Sequence, residues 1–117
     1  MKEITIYHNP RCSKSRQTLQ LLRDNNIEPK IVEYLKIPLQ KDKLKRIANI
    51  LRLKPKDFIR KNEHDFKENN LGEIIDDDEK VIEAMVSFPK IIERPIVIKG
   101  QLGVIGRPPE NILKLLK

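Results

Sequence analysis

The stretch Glu3–Asn26, EITIYHNPRCSKSRQTLQLLRDNN, changes its hydrophobic period in the middle, and that change decides the fold. From Glu3 to Tyr7, Ile4 and Ile6 alternate with polar neighbours, the two-residue period of a half-buried strand. His8-Asn9-Pro10 follows as a turn, because proline restricts the residue before it to extended geometry. From Ser13 the period becomes helical, with Leu19, Leu21 and Leu22 on one side, and it runs out near Asp24-Asn25-Asn26. Ile31 to Leu35 is again strand-like. Two strands with a helix between them make a βαβ unit, which implies parallel pairing and a right-handed crossover.

Beyond this unit the chain turns helical. Leu44, Ile47, Ala48 and Leu51 recur at i, i+3, i+4 and i+7, an amphipathic helix. Pro55 suits the first turn of a short helix carrying Phe58, Ile59 and Arg60. Asp76-Asp77-Asp78-Glu79 leads into Val81, Ile82, Met85 and Val86, and acids there complement a helix N-terminal dipole, so this acidic run is structural and needs no metal. Strands return at the end. Pro95–Ile98 and Leu102–Ile105 flank Lys99-Gly100-Gln101 as a β-hairpin, and Pro108-Pro109-Glu110 opens a last helix with Ile112, Leu115 and Leu116 apolar. The order βαβ, then helices, then ββα gives an α/β fold of the thioredoxin-like plan with a helical insertion, one domain over residues 1–117.

The 117 residues are about one domain's length and can bury a core without a disulfide or metal. No apolar run approaches the roughly 20 residues needed to span a bilayer. Met1 to Tyr7 reads as a strand without the features of a signal peptide, so the expected location is the cytoplasm, away from membranes. The net charge is +7, from 24 basic and 17 acidic residues, which fits either anionic partners or a general lysine-rich composition bias. With two Tyr, three Phe and no Trp there is little to stack on bases, so no nucleic acid is expected.

One cysteine, Cys12, excludes an intramolecular disulfide and a cysteine zinc site. It lies after a strand, on a loop, just before a helix, where unpaired N–H groups and the positive end of the helix dipole favour thiolate over thiol. Ser13 and Ser15 can cap that helix or donate to the sulfur, Arg11, Lys14 and Arg16 add positive charge, and His8 lies four residues upstream. A free thiol with a pKa of about 8.5 is only a few per cent ionised near neutrality, and lowering it by about two units makes the thiolate dominant. The same geometry binds oxyanions. A cysteine phosphatase pattern, Cys-x5-Arg, fails at Thr18, and a CxxC redox pair fails at Ser15.

The segment from His8 to Leu19, HNPRCSKSRQTL, resembles the active-site segment of the glutaredoxin-dependent arsenate reductases. Glu93-Arg94-Pro95-Ile96-Val97, Gly106-Arg107-Pro108 and Arg60-Lys61-Asn62 resemble three further segments of that family, over nearly the whole chain. The likeness is greatest to its small single-domain branch. It implies a thioredoxin-like fold and reduction of arsenate to arsenite. By position, Cys12 is implied as the nucleophile, and Arg60, Arg94 and Arg107 as the holders of the oxyanion and its thiolate adduct. Ser13 and Ser15 complete the implied substrate-binding set. His8 is implied to help lower the thiol pKa, and Pro95 to sit where these folds carry a cis proline beside the cysteine.

Arginine suits this chemistry. A thiolate and an arsenate about 4 Å apart repel by several kcal/mol at an intermediate dielectric, roughly 4 kcal/mol at an effective value near 20, and planar guanidinium forks offset this. With no second cysteine, an external thiol must resolve the adduct. The resemblance implies glutathione as co-substrate, glutaredoxin as partner and no bound cofactor. Two other readings compete: a general thiol-disulfide oxidoreductase of this fold, and a non-enzymatic regulator resembling the Spx-type proteins that bind RNA polymerase and usually carry a CxxC switch. Ser15 in place of a second cysteine argues against the latter.

Overall fold

A computed structural model describes residues 3–116 of the chain. Met1 and Lys2, which the N-terminal strand reading included, lie outside the described residues. The chain divides into two compact units, residues 1–37 with 94–117, and residues 38–93. The second unit is thus an insertion in the sequence of the first.

The first unit is built on a four-stranded sheet in the order β2-β1-β3-β4, with β1 at Ile4–Tyr7, β2 at Lys30–Val32, β3 at Ile96–Lys99 and β4 at Leu102–Ile105. β1 runs parallel to β2 with Ile6 opposite Ile31, and antiparallel to β3 with Ile6 opposite Val97. β3 and β4 form the expected hairpin, Ile98 opposite Gly103, with Gly100 at φ 62 in the turn, a conformation that favours glycine. Helix α1, Ser13–Asp24, crosses between β1 and β2. Its inward residues Ser15, Thr18, Leu19 and Leu22 follow the i, i+3, i+4, i+7 spacing of one helix face. Leu19 and Leu22 meet Ile4, Ile6 and Val97 of the sheet and Ile112 and Leu115 of the C-terminal helix in one cluster. Burying Leu22 completely stabilises by about 2 kcal/mol.

Local chemistry ends α1. Asn26 takes the left-handed conformation, φ 64, its N–H donates to the Arg23 carbonyl and that of Ile27 to the Leu22 carbonyl. That closure satisfies the last carbonyls and returns Ile27 to the core edge.

Two expectations in this unit need correction. β2 is shorter than Ile31–Leu35: after Val32 the chain turns, with the N–H groups of Lys36 and Ile37 on the Glu33 carbonyl, and Tyr34 is buried from that turn. The last helix, Pro109–Leu115, is wound as a 3-10 helix, tighter than the α-helix its period suggested, and Pro108 precedes it.

The second unit is helical. α2, Lys41–Leu51, buries Leu44, Ile47 and Ala48, as its spacing requires. α4, Asp78–Ser87, is capped by Asp77, whose carboxylate accepts from the Lys80 N–H, so the acidic run does serve a helix start. α4 packs against α2 and against short 3-10 turns at Pro55–Phe58, Leu71–Ile74 and Pro89–Ile91. A further short helix, α3, spans His64–Glu68. No helix among the described residues is long and apolar enough to cross a membrane. With strands and helices in this arrangement the protein has the α/β, thioredoxin-like fold with a helical insertion.

Candidate active site

Cys12 closes the loop between β1 and α1 as the residue that caps the helix, in extended geometry at φ −93, ψ 124. Asn9 builds the loop. Its carbonyl accepts the Cys12 N–H at 3.0 Å and its side-chain oxygen accepts the Arg11 N–H at 3.0 Å. Arg16, from the second turn of α1, donates to the Pro10 carbonyl at 2.9 Å and ties the loop down. Arg16 is thus an exposed surface residue whose side chain anchors the loop. Asn9 was not singled out in the sequence, although Asn before a proline is a turn signal whose side chain bonds two residues on.

The half-buried sulfur is surrounded by donors. Burial by itself pushes the thiol up. The N–H of Ser15, the Arg94 guanidinium by hydrogen bond and by charge, and the N–H of Lys14 together outweigh it, and the thiol lies below its ordinary value. Two of these groups are helix-start amides with no intrahelical partner, so the fold supplies them without any side chain.

Ser15 departs from expectation. Its hydroxyl neither caps α1 nor turns to the sulfur; it is fully buried, 2.6 Å from His8 Nδ1, and accepts the Asn9 N–H at 3.0 Å. The backbone of Ser15 serves the sulfur while its side chain fixes His8. Ser13 is exposed and makes no cap bond. His8 is buried, and burial holds its imidazole below the ordinary range against the pull of Glu33, with Arg23 and Arg16 lowering it further. His8 is not among the groups that act on the thiol, and its contact in the site is with Ser15.

Arg94 and Pro95 enter from the start of β3, joined by a cis peptide bond, and Arg107-Pro108 after β4 is cis as well. Arg107 Nε donates to the Arg94 carbonyl at 3.2 Å, which links the two arginines. The close approach of this segment to α1 depends on Gly106. Its N–H donates to the Pro95 carbonyl at 2.8 Å, and a Cβ there would fall 2.6 Å from Thr18 Oγ1.

The first unit thus brings together Cys12, His8, Ser15, Arg94, Pro95 and Arg107. Arg60 belongs to the second unit and is not on a helix as expected. The 3-10 turn stops at Phe58, because Ile59 pairs with Ile92 as an isolated β-bridge and the Arg60 N–H donates to the Ile91 carbonyl. Its guanidinium lies between Glu63 and Glu93, at 3.6 and 3.7 Å. His64 is exposed, 3.7 Å from Glu68. Among the described residues no three His, Cys, Asp or Glu side chains are grouped to hold a metal ion.

The profile of the ArsC family matches residues 7–115. The chain belongs to the ArsC family. It is 44% identical over 116 residues to YfgD of Escherichia coli K12, described as an uncharacterized protein, an alignment covering 98% of both chains. It is 39% identical to an arsenate reductase of Neisseria meningitidis serogroup B, covering 99% of this chain and 100% of that one. Among solved structures, an arsenate reductase from Vibrio cholerae superimposes with a TM-score of 0.92 at 41% identity, covering 97% of each chain. The ArsC membership agrees with the segments around Cys12, Arg94 and Arg107 that carried the resemblance.

Proposed function

We propose that this ArsC-family protein reduces arsenate to arsenite in the cytoplasm, with glutathione and glutaredoxin as the external thiols. The observation that carries this reading is a single thiol, lowered in pKa, whose sulfur is hydrogen-bonded by the Arg94 guanidinium. The Cys12 thiolate attacks arsenic(V), and one As–O bond breaks as that oxygen leaves as water. Glutathione sulfur displaces a second oxygen, again as water. A glutaredoxin thiolate then attacks the glutathione sulfur: an S–S bond forms, the As–S bond to glutathione breaks, and its electron pair stays on arsenic, now arsenic(III). Water releases arsenite from Cys12 and restores the thiol. Two thiols supply both electrons, so the sequence of steps needs no resident cofactor.

Arg94 and Arg107 would offset repulsion between thiolate and arsenate, as permanently charged forks that match a tetrahedral anion. Arg60, the third arginine of the resemblance, would have to exchange a carboxylate partner, Glu63 or Glu93, for the oxyanion. An NADPH-coupled assay with glutathione, glutaredoxin, glutathione reductase and arsenate tests the proposal, the reductase returning NADPH electrons to glutathione disulfide, with Cys12→Ser as control. Arsenate-dependent NADPH oxidation is expected only with the intact thiol. Arg94→Ala should lose it while Cys12 still alkylates at alkaline pH. Oxidation no faster than in the Cys12→Ser control would refute the reading.

A further inference from the structure

Charge is distributed unevenly along this chain. Residues 4–23, between Glu3 and Asp24, contain no acid and carry Arg11, Lys14, Arg16 and Arg23. Residues 94–109, between Glu93 and Glu110, contain no acid and carry Arg94, Lys99 and Arg107. These seven cations equal the whole net charge of +7, since the other 17 basic residues are matched by 17 acidic ones. The excess charge therefore lies on the two segments that form the Cys12 site.

Most of the seven have an identified task. Arg23 pairs with Glu28 at 3.1 Å, and Lys99 donates to the Leu115 carbonyl at 3.0 Å. Arg94 is on the sulfur, Arg107 on the Arg94 carbonyl and Arg16 on the Pro10 carbonyl. Arg11 and Lys14 remain. Both are exposed, they flank Cys12 on the loop and the first turn of α1, and neither forms an ion pair among the described residues. Each contributes its backbone N–H locally, Arg11 to Asn9 and Lys14 to the sulfur. Their side-chain charges are not among the groups that act on the thiol.

We infer that Arg11 and Lys14 select the reductant, favouring thiols that bear carboxylates over neutral or cationic thiols as an external sulfur approaches Cys12. Exposed cations act over about 8–10 Å at ordinary ionic strength, far enough to orient a small anionic thiol as it arrives. Glutathione has this chemistry, two carboxylates against one ammonium. The inference deepens the reductase reading and rests on it for the physiological substrate, but thiol exchange tests it without arsenate.

The reduced protein is mixed with glutathione disulfide, which is anionic, or with cystamine, which is cationic. In each case the Cys12 thiolate attacks one sulfur, the S–S bond breaks, Cys12–S–S–R forms and a thiolate leaves, followed by mass spectrometry. Any change in Cys12 itself affects both rates alike, so their ratio isolates charge selection. In the Arg11→Gln/Lys14→Gln double variant the anionic-to-cationic rate ratio is expected to fall about tenfold, a loss that disappears in about 1 M salt, where screening acts within roughly 3 Å. Arg11→Glu/Lys14→Glu should lower the ratio further. A ratio equal to that of the parent in both variants, including the case where both rates fall together, overturns the inference. Charge preference without arsenate turnover would refute the reductase reading alone, and arsenate turnover without charge preference would refute this inference alone.

Discussion

Replacing Gly106 by alanine should introduce about 1–3 kcal/mol of overpacking at the contact between α1 and the Arg94-Pro95 segment. The added methyl would lie 2.6 Å from Thr18 Oγ1, 2.8 Å from Pro95 Cγ and 3.0 Å from Thr18 Cγ2. Favourable carbon contacts are about 3.5–4.0 Å, so the two sides must separate by roughly 1 Å. Neither yields freely. Pro95 is tied to Gly106 by the 2.8 Å backbone hydrogen bond, and the Thr18 hydroxyl donates to the Lys14 carbonyl at 2.8 Å. Alanine also restricts the unfolded chain, which stabilises by about 0.4–1 kcal/mol where the native backbone allows it. Gly72 isolates that second effect, because no atom lies within 4 Å of where its methyl would go. Gly106→Ala should therefore be less stable than Gly72→Ala by about 1–3 kcal/mol, read from urea midpoints by circular dichroism with the slope held common. Since Pro95 follows Arg94, the same displacement moves the guanidinium relative to the sulfur. The pH profile of Cys12 alkylation by iodoacetamide should then shift to higher pH. Equal stability of the two variants, with a Gly106→Ala alkylation profile superimposable on the parent's, would refute the assignment of Gly106 as the spacer that seats Arg94.

Two further outcomes follow from the titrating groups. Alkylation of Cys12 in the parent should have its midpoint below that of a free thiol, and Arg94→Ala should raise it; a midpoint unmoved by that substitution would remove Arg94 from the sulfur. His8 has a folded pKa below its ordinary value, so between the two values the unfolded chain binds more protons and stability rises with pH. Its contribution is fully present above about pH 6.5 and is lost as pH falls through the folded value. His8→Gln should flatten the dependence of stability on pH below about pH 6.5 in urea titrations, and a slope identical to the parent's would show that His8 is not buried neutral.

Much of the fold could be read along the chain because its signals are local. The switch of period at His8-Asn9-Pro10, the helical spacing of Leu44, Ile47, Ala48 and Leu51, and the turn at Gly100 each express backbone geometry within a few residues. The errors lie where a distant partner overrode local preference or where the backbone took a tighter local turn than the spacing distinguishes. Arg60 sits on a helical pattern, but Ile59 finds Ile92 and the strand-like bridge wins. The last segment has helical spacing, yet its amides bond three residues back, as with Asn111 to the Pro108 carbonyl.

The site divides along the same line. By itself the sequence determined that Cys12 stands alone and begins a helix, so that amide donors must face its sulfur, for these follow from chain order and helix geometry. It could not assign the Ser15 hydroxyl, whose choice among helix cap, sulfur and histidine is settled by His8 lying 2.6 Å away. Nor could it bring Arg94 to Cys12, because that contact crosses the sheet from the start of β3 and depends on a glycine at position 106. Donors to the thiolate that belong to its own helix are written in the order of residues. Donors that belong to another strand exist only once hydrophobic burial has closed the sheet against α1.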